Sequence, residues 1–434
     1  MKIKIVGGGL AGVESAWYLA NRGHQIDLYD MKPYAKTPAH HADTLGELVC
    51  SNSLKSDDLS TASGLLKAEM RMFGSIVLDV ADETKVPAGG ALSVSRQEFS
   101  DKIDSRIRNH PNINVVSQEI VDLDYTGYDY LIIATGPLTS SRLAEALTEY
   151  TGDALHFFDA AAPIVSAETI DMTRAFRQSR YDKGGADYIN CPMEKDEYLA
   201  FYDELVKAEV SNLHEFEKRE IFESCMPIEI MAKRGADTLR YGPLKPVGLT
   251  DPHTGRRPYA VVQLRQDDMS ATMYNLVGFQ TNLRWGEQKR VFSMIPGLQN
   301  AEFVKYGVMH RNTYVNAPTC LNSDFSLKRD DHIYIAGQLS GVEGYVESAM
   351  SGLVSAISIH LRNEGKQLNL PNTSIIGALT RYISYENEDF QPMNANFGIL
   401  PELEEHIRDK SARKLAYSAR AIRDMLEVVS YMED

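Results

Sequence analysis

The apolar residues near the N-terminus change from a strand pattern to a helical pattern and back. Ile3, Ile5 and Val6 form a short apolar run that is typical of a buried strand. The next apolar positions recur every three or four residues and predict a helix: Val13, Ala16, Trp17, Leu19 and Ala20. A second strand is predicted over Gln25–Tyr29. The order strand, helix, strand is typical of a parallel sheet covered by helices.

Three glycines follow the first strand at the spacing G-x-G-x-x-G: Gly7, Gly9 and Gly12. In this motif the first glycine makes a tight turn, the second lets the backbone approach a pyrophosphate, and the third allows close helix–strand packing. Asp30 ends the second strand, where a carboxylate can accept hydrogen bonds from a ribose. We therefore predict a dinucleotide site formed by Gly7, Gly8, Gly9, Leu10, Ala11, Gly12 and Asp30.

Two later segments have the pattern of further parts of the same domain. A buried strand within residues 128–136 ends in Thr135 and Gly136, and the strand Ile333–Ala336 leads into a glycine-rich turn and a helix of small residues. Such turns bring backbone N–H groups to another part of one cofactor. We expect contacts from Thr135, Gly136, Gly337, Gln338 and Gly341. Signals spread in this way are typical of two-domain flavoproteins, and a second G-x-G-x-x-G is missing, so FAD is favoured over NAD as the resident cofactor.

These patterns predict an α/β fold: a Rossmann-like FAD-binding domain with an inserted α+β domain and a helical C-terminal tail. We expect the FAD-binding domain to comprise residues 1–151 and 319–434, and the inserted domain residues 152–318. The first half of the insertion is acidic and rich in helix formers, for example over Glu194–Glu223.

Four shorter segments have a clear period. Alternation of apolar and polar residues predicts antiparallel strands over Ala260–Leu264 and Thr272–Val277. Helical spacing predicts helices in the tail over Leu403–Ile407 and Ala416–Val429.

The composition is that of an ordinary soluble protein, with 43% apolar and 24% charged residues in a chain of 434. We find no apolar run long enough to cross a bilayer and no signal-peptide pattern at the N-terminus. The four cysteines, at positions 50, 191, 225 and 320, form neither a CxxC pair nor a metal-binding spacing. We expect a cytoplasmic protein with no metal and no membrane partner.

The formal net charge of −15 argues against a nucleic-acid partner when it is taken as a whole. However, the segment from Lys233 to Arg311 holds 12 basic residues and only 6 acidic ones. Charge alone leaves two interpretations open: a solvated arginine-rich face, or a docking surface for a polyanion.

Two cysteines have a context that suggests reactivity. An apolar run ends at Cys50, and the residues after it are good N-caps, which predicts a thiolate stabilised at a helix N-terminus. Cys225 lies just before the basic segment. The alternative is that both are small buried hydrophobic residues, as most unpaired cysteines are. We expect Cys191 and Cys320 to be structural.

Motifs along almost the whole chain resemble those of the folate- and flavin-dependent tRNA uracil-5-methyltransferases, the TrmFO family, which is related to the GidA flavoproteins. The N-terminal motifs are Thr37-Pro-Ala-His40, Glu47-Leu-Val-Cys-Ser-Asn-Ser-Leu54 and Pro87-Ala-Gly-Gly-Ala-Leu92. Later motifs are Leu239-Arg-Tyr-Gly-Pro-Leu-Lys-Pro-Val-Gly-Leu249, Gly278-Phe-Gln-Thr281, Glu287-Gln-Lys-Arg290, Ile295-Pro-Gly-Leu298, His310-Arg-Asn-Thr-Tyr314 and Gly341-Val-Glu-Gly-Tyr345. The chain departs from the family pattern at Asp30, usually Glu, and at Lys32, usually Arg; both changes preserve charge.

The resemblance implies that the protein transfers a one-carbon group from methylenetetrahydrofolate to C5 of a T-loop uridine in tRNA, with reduced FAD as hydride donor and NAD(P)H as reductant. It implies that Cys50 and Cys225 are functional, and we assign Cys225 to the attack on uracil C6, with Cys50 close to the flavin; the reverse assignment stays open. Tyr345 and Glu343 are expected near the flavin ring, where they contact folate, assist proton transfer or have no chemical role.

The resemblance also favours the docking interpretation of the basic segment. The candidates for phosphate contacts are Lys233, Arg234, Arg256, Arg257, Arg284, Lys289 and Arg290. Alternatives are the same chemistry on a ribosomal RNA uridine, the related flavoproteins that modify wobble uridines, and a flavin-bearing protein that binds or folds RNA. A flavin thiol–disulfide oxidoreductase is disfavoured because no CxxC is found.

Overall fold

A five-stranded parallel sheet forms the centre of the larger unit in the computed structural model, which describes residues 1–37, 39–152, 155–211, 226–307, 309–387 and 390–433. Its strands are separated widely along the chain and adjoin in the order β16 (Ile333–Ile335), β7 (Tyr130–Ile133), β1 (Lys2–Val6), β2 (Gln25–Asp30) and β6 (Ile113–Ser117). Each neighbouring pair is parallel. The three segments that the sequence analysis assigned to one nucleotide-binding domain therefore lie side by side in one sheet, which confirms the Rossmann-like fold class.

The strands are short, and each is bounded by a turn or loop. In chain order they are β1 (Lys2–Val6), β2 (Gln25–Asp30), β3 (Ser53–Ser56), β4 (Lys85–Val86), β5 (Ala91–Val94), β6 (Ile113–Ser117), β7 (Tyr130–Ile133), β8 (Leu155–Ala160), β9 (Ile164–Ser166), β10 (Phe176–Arg177), β11 (Tyr188–Met193), β12 (Ala260–Gln266), β13 (Met273–Leu276), β14 (Phe303–Lys305), β15 (Met309–Tyr314) and β16 (Ile333–Ile335).

The helices pack on the sheets and form the tail. They are α1 (Leu10–Ala20), α2 (Ala62–Arg71), α3 (Ile76–Glu83), α4 (Arg96–Arg108), α5 (Ser141–Thr151), α6 (Lys195–Lys207), α7 (Ile228–Lys233), α8 (Thr238–Tyr241), α9 (Trp285–Phe292), α10 (Ala317–Cys320), α11 (Tyr345–Asn363), α12 (Ile375–Ser384) and α13 (Lys410–Glu433).

Helices α1 and α11 cross at very short range beneath the parallel sheet. The Ser15 hydroxyl donates to the Ala11 carbonyl at 2.8 Å and lies 2.9 Å from the Gly352 carbonyl of α11. Small residues along α11 allow this approach, since larger side chains would hold the two backbones apart. The crossing brings the N-termini of both helices to the same edge of the sheet.

A second hydrophobic core belongs to an antiparallel sheet of order β10-β11-β12-β13-β9-β14. Strands β12 and β13 pair antiparallel, as the alternation of apolar and polar residues predicted. The two-stranded ladder β15-β8 and the three-stranded sheet β3-β5-β4 complete the described pairings. The domain limits at residues 151 and 318 stay a prediction.

Two local predictions are wrong. Residues 403–407 form no helix, although α13 covers the second tail segment as predicted. Residues after Cys50 enter strand β3, so the segment that follows the cysteine begins no helix. After Cys50, pairing of β3 with β5 overrides the short-range propensity.

Candidate active site

A long cleft opens at the carboxyl ends of β1, β2, β7 and β16, where parallel α/β sheets bind their ligands. Its empty space, including the open mouth, is about 1170 Å³. Of the predicted cofactor residues, Gly7, Gly8, Gly9, Leu10, Ala11, Asp30, Thr135, Gly136, Gly337 and Gln338 line this cleft.

The glycine turn has the three properties that a pyrophosphate cradle needs. Gly7 has φ +107°, which favours glycine. A side chain at Gly12 would lie 1.8 Å from the Gly7 carbonyl oxygen, so only glycine permits this packing of α1 on β1. A Cβ added at Gly9 would meet no protein atom within 4 Å. Gly9 therefore faces space in the cleft at the N-terminus of α1, and this observation fits a dinucleotide such as FAD.

Asp30 holds the glycine turn as well as lining the cleft. One carboxylate oxygen accepts from the Gly8 N–H at 2.7 Å and the other from the Lys32 N–H at 2.9 Å. A carboxylate oxygen has more than one lone pair, so Asp30 retains acceptor capacity for ribose hydroxyls.

Gly341 and Gly12 do not line the cleft. Gly341 has φ +86°, and a side chain there would lie 2.5 Å from the Phe390 ring. Its position supports the turn after β16.

The residues that sequence reasoning missed include Lys36, Thr37, His40, Glu47, Gln118 and Glu119. Thr37 and His40 belong to a family motif, but nothing in their residue types or spacing predicted that they line the cofactor cleft. Burial lowers the pKa of His40.

A second cavity, here named the Cys50 chamber, adjoins the cleft. Its chemically active lining includes Cys50, Arg265, Gln280, Asn312, Glu343 and Glu347. Tyr345 and Gln338 line both the cleft and the chamber. The structure therefore brings Cys50, Tyr345 and Glu343 together beside the predicted cofactor site.

Tyr345 fixes the backbone that carries the sulfur. Its hydroxyl oxygen accepts from the Cys50 N–H at 2.7 Å and from the Ser51 N–H at 3.0 Å. Burial and the nearby Cys50 raise the pKa of Tyr345, while Arg96 and the two N–H groups oppose this shift. The phenol remains protonated at neutral pH and can still donate its own hydrogen.

Arg265 on β12 holds the same loop from the other side. Its Nε donates to the Asn52 side-chain oxygen at 3.0 Å, and its Nη2 to the Ser51 hydroxyl at 2.7 Å. Asn275 on β13 accepts from Nη2 at 3.2 Å. Asn52 is fully buried and also donates to backbone carbonyls of both units. A polar network thus connects the Cys50 loop to the antiparallel sheet.

Two further cations lie near Cys50. Arg96, at the start of α4, forms a two-pronged ion pair with the buried Asp267, with N–O distances of 2.9 and 3.1 Å. Lys305 on β14 is partly buried, and burial, together with Arg96, lowers its pKa. These side chains provide positive charge around the sulfur.

Two carboxylates also line the chamber, those of Glu343 and Glu347. Glu343 accepts from the Gln338 side-chain nitrogen at 2.5 Å. Glu347 on α11 pairs with Lys55 at 3.0 Å and accepts from the Ala395 N–H at 3.0 Å. Its other oxygen is buried and has no partner among the described residues. Sequence reasoning missed Glu347, because it stands in a run of small helix-forming residues.

Cys225 lies outside the described residues, so its predicted role is neither supported nor opposed by geometry. The chain ends that flank residues 212–225 are anchored close together. The Ser211 N–H donates to the Asn282 carbonyl and the Ile228 N–H to the Gln280 carbonyl, each at 2.8 Å. Gln280 itself lines the Cys50 chamber.

Cys191 and Cys320 have the features of structural cysteines. Both are buried, and burial raises the pKa of each thiol to about 12. Neither lines the cleft or the chamber. Thiols with such a high pKa are poor nucleophiles at neutral pH.

All seven candidates for phosphate contacts are exposed. Arg284 is paired with Glu209 at 2.7 Å, and Arg290 with Glu204 and Glu287. Lys233, Arg256, Arg257 and Lys289 form no ion pair within the described part of the chain. On the same unit, Trp285 is 61% exposed and stacks on Tyr306, which stacks on Phe303.

Within the described residues, no helix has the length and apolar character needed to cross a membrane. The same residues include no group of three or more His, Cys, Asp or Glu side chains placed to hold a metal ion.

Comparisons with known proteins agree over the whole chain. Residues 2–367 match the family described as glucose inhibited division protein A. A methylenetetrahydrofolate–tRNA-(uracil-5-)-methyltransferase TrmFO from Acetivibrio thermocellus is 54% identical over 99% of this chain and 98% of its own length. The enzyme of the same name from Enterococcus faecalis is 52% identical over 100% of this chain and 99% of its own length.

A solved structure shares the fold at much lower sequence identity. GidA from Aquifex aeolicus, in its form II crystal, superimposes with a TM-score of 0.72 at 16% identity. The match covers 99% of this chain and 73% of that one.

Proposed function

This chain belongs to the TrmFO members of the glucose inhibited division protein A family, and from that premise we propose that it is a methylenetetrahydrofolate-dependent tRNA (uracil-5-)-methyltransferase. The observation that carries the proposal is the position of Cys50. It lies in a chamber that shares the wall residues Tyr345 and Gln338 with a dinucleotide cleft. A nucleophilic sulfur and a redox cofactor are the two components that this reaction needs in one place.

The residues of the cleft fit FAD. Gly9 leaves room for a pyrophosphate, α1 points its N-terminus at that room, and Asp30 retains acceptor capacity for a ribose. When bound there in its reduced form, the flavin supplies the hydride that brings a methylene-level carbon to the methyl level. The reductant of the flavin is proposed to be NADH or NADPH.

Uracil C5 is a weak nucleophile until a sulfur adds to C6. A cysteine thiolate forms a C–S bond at C6, and the electron pair of the C5–C6 double bond moves towards C5 and the C4 carbonyl oxygen. C5 then bonds to the methylene carbon of methylenetetrahydrofolate, and one C–N bond of that carbon breaks. A base removes the C5 proton, and the electron pair of that C–H bond expels the folate amine, which leaves an exocyclic methylene on C5. A hydride added to that methylene gives the methyl group, and the electron pair displaced towards C5 re-forms the C5–C6 double bond as the thiolate leaves C6. The chain must therefore provide a thiolate and a base at one pyrimidine.

We keep Cys225 as the proposed attacking residue and Cys50 as the sulfur beside the flavin. Support for Cys50 comes from its place in the chamber. Support for Cys225 comes from family resemblance. Tyr345 is proposed to hold the Cys50 loop, and Glu343, which is 6% exposed and bonded to Gln338, to contact folate or move a proton.

The tRNA is proposed to dock on the antiparallel unit. Lys233, Arg256, Arg257 and Lys289 are exposed cations there, and the exposed Trp285 gives a flat surface for a base. Because a uridine within the folded T-loop is stacked, it must be extruded to reach the catalytic groups. A cytoplasmic location follows from the proposed substrate.

The test is a methylation assay with two alternative carbon donors. Purified holoprotein, which we expect to be yellow, is incubated with unmodified tRNA, NAD(P)H and methylenetetrahydrofolate, and 5-methyluridine is measured by mass spectrometry of nucleosides. We expect product in the T-loop. Product formed only when S-adenosylmethionine replaces the folate would refute the proposal. Ribosomal RNA as a competing substrate tests the alternative target.

A further inference from the structure

The Cys50 chamber contains a cation that has no carboxylate partner. Arg265 lines the chamber, and its three hydrogen bonds all go to neutral oxygens, on Ser51, Asn52 and Asn275. No ion pair joins it to any acid among the described residues, and its Nη1 donates to no group among them. A partly buried guanidinium without a counter-ion costs free energy, so such a group usually indicates an anion that binds there.

The other cation of the chamber lining is Lys55, which is paired with Glu347 at 3.0 Å. Glu343 is bonded to a neutral amide, that of Gln338. Arg265 is therefore the cation of the chamber lining that forms no ion pair, although Asp267 acts on it and raises its pKa.

Charged groups from four elements act on Cys50. Arg96, Arg265 and Lys305 contribute positive charge, and Tyr345 contributes a protonated phenol. Arg96 is neutralised by Asp267, since the two side chains form a two-pronged ion pair.

Lys305 is partly compensated, because Glu47 and Asp267 both act on it. One contact opposes ionisation: the Cys50 sulfur lies 3.7 Å from the Ala160 carbonyl oxygen, which favours the protonated thiol. The contact is long and therefore weak. Burial also lowers the pKa of Arg265, although a guanidinium remains charged at neutral pH.

We propose that Arg265 is the counter-charge of a thiolate at Cys50. The guanidinium acts in two ways, because it adds a positive charge that forms no ion pair within electrostatic range of the sulfur, and because it binds Ser51, the next residue in the chain. It is thus a positioning residue that works through Cys50. The proposal rests on the proposed function only for the use of the thiolate; the ionisation itself is a property of the protein without RNA or folate.

The experiment measures the pH profile of Cys50 alkylation in the holoprotein. Iodoacetamide modification of the peptide that carries Cys50 is followed by mass spectrometry, which separates this thiol from the other three. In R265Q we expect the midpoint of the profile to rise by about one pH unit or more. R265K keeps the positive charge but lacks the planar guanidinium with its several N–H donors. We expect its alkylation midpoint to return most of the way to the wild-type value. K305Q is the matched control for loss of one cation, and we expect a smaller shift because Lys305 does not line the chamber and Glu47 acts on it in addition to Asp267.

Folding is checked by the flavin absorbance and the thermal unfolding of each variant. If R265Q does not fold, the midpoints of the alkylation profile in R265K and K305Q are compared. A larger rise of the midpoint in K305Q than in R265K contradicts the proposal. An unchanged midpoint in folded R265Q overturns the proposal outright. Failure of the proposed function gives a different result, because wild-type protein then makes no 5-methyluridine while the alkylation profile still depends on Arg265.

Discussion

The hydroxyl oxygen of Tyr345 lies 2.7 Å from the backbone nitrogen of Cys50 and 3.0 Å from that of Ser51. One side chain at the start of α11 thereby holds a loop that is almost 300 residues earlier in the chain (the separation is 295). The bonds connect the sulfur to the same glycine-rich segment that completes the cofactor cleft, so the positions of sulfur and cofactor are coupled.

We expect Tyr345→Phe to lower kcat by about 10- to 100-fold, because two buried N–H groups lose their acceptor at about 1–3 kcal/mol each and the Cys50 loop loosens. Flavin content is expected to be unchanged, since the ring remains. Steady-state methylation is the measurement. Tyr382→Phe is the matched control, because that hydroxyl bonds the Gln391 carbonyl away from the chamber. A wild-type rate in Tyr345→Phe would mean that the loop needs no such support.

The two cysteines can be separated by a trapped adduct. A T-loop RNA that carries 5-fluorouridine has no C5 proton to lose, so the sulfur that adds to C6 stays attached. We expect Cys225→Ala to abolish the adduct and Cys320→Ala to keep it, because the Cys320 thiol is buried with a pKa of about 12. Peptide mapping of the wild-type adduct identifies the sulfur. An adduct mapped to Cys50 would reverse the assignment of the two cysteines.

Gly9→Val tests the cofactor cleft with little risk to folding. A Cβ at Gly9 meets no protein atom within 4 Å, and its φ of −76° is open to any residue. The added methyl groups fill the space assigned to the pyrophosphate, so we expect FAD affinity to fall by at least about 100-fold. Flavin absorbance per protein after dialysis is the measurement. Gly286→Val, at an exposed position on α9, is the control that should remain yellow.

We expect Trp285→Ala to weaken tRNA binding by about 1–3 kcal/mol, the value of one base–aromatic stack. Lys289→Gln should reduce by about 1 the slope of the logarithm of the tRNA binding constant against the logarithm of the salt concentration. This is the change expected when one phosphate contact is lost. Filter binding or fluorescence anisotropy over a range of salt gives both quantities. Lys410→Gln on α13 is the control, because it lies in the tail. Equal effects of Lys289→Gln and Lys410→Gln on tRNA binding would contradict the proposal that the tRNA docks on the antiparallel unit.

Stability is expected to fall with rising pH because of buried glutamates. Glu69 accepts from the Ile375 and Ile376 N–H groups at the start of α12, and burial raises its pKa from 4.5 to about 8. The raised value means that the folded state binds the proton more tightly. The stability that Glu69 contributes is therefore present below pH 4.5 and is lost as pH rises towards about 8.

Glu69→Gln removes this titration, so we expect its thermal stability to decline less than that of wild type across the same pH window, by on the order of 1–3 kcal/mol. Glu98→Gln, at an exposed position on α4, is the matched control. Parallel curves for wild type and Glu69→Gln would show that the carboxyl is already ionised in the folded protein. Glu14, with a pKa raised by burial to about 8, contributes with the same sign.

Local sequence determined the parts of the protein whose physics is local. The turn at Gly7, the packing at Gly12 and the apolar stripe of α1 follow from a few adjacent residues, because backbone sterics and helical period act over short distances. The same holds for the alternating strands β12 and β13. The family motifs spread along the chain were sufficient to predict the function, because each motif identifies particular residue types at fixed positions.

Tertiary structure alone decided what surrounds Cys50. Sequence propensity predicted a helix after it, whereas pairing with β5 makes that segment a strand. The positive charge near the sulfur comes from Arg96, Arg265 and Lys305, which belong to three separate elements. Coulomb interactions depend on distance in space and on burial, and neither quantity is encoded in the neighbours of a residue along the chain.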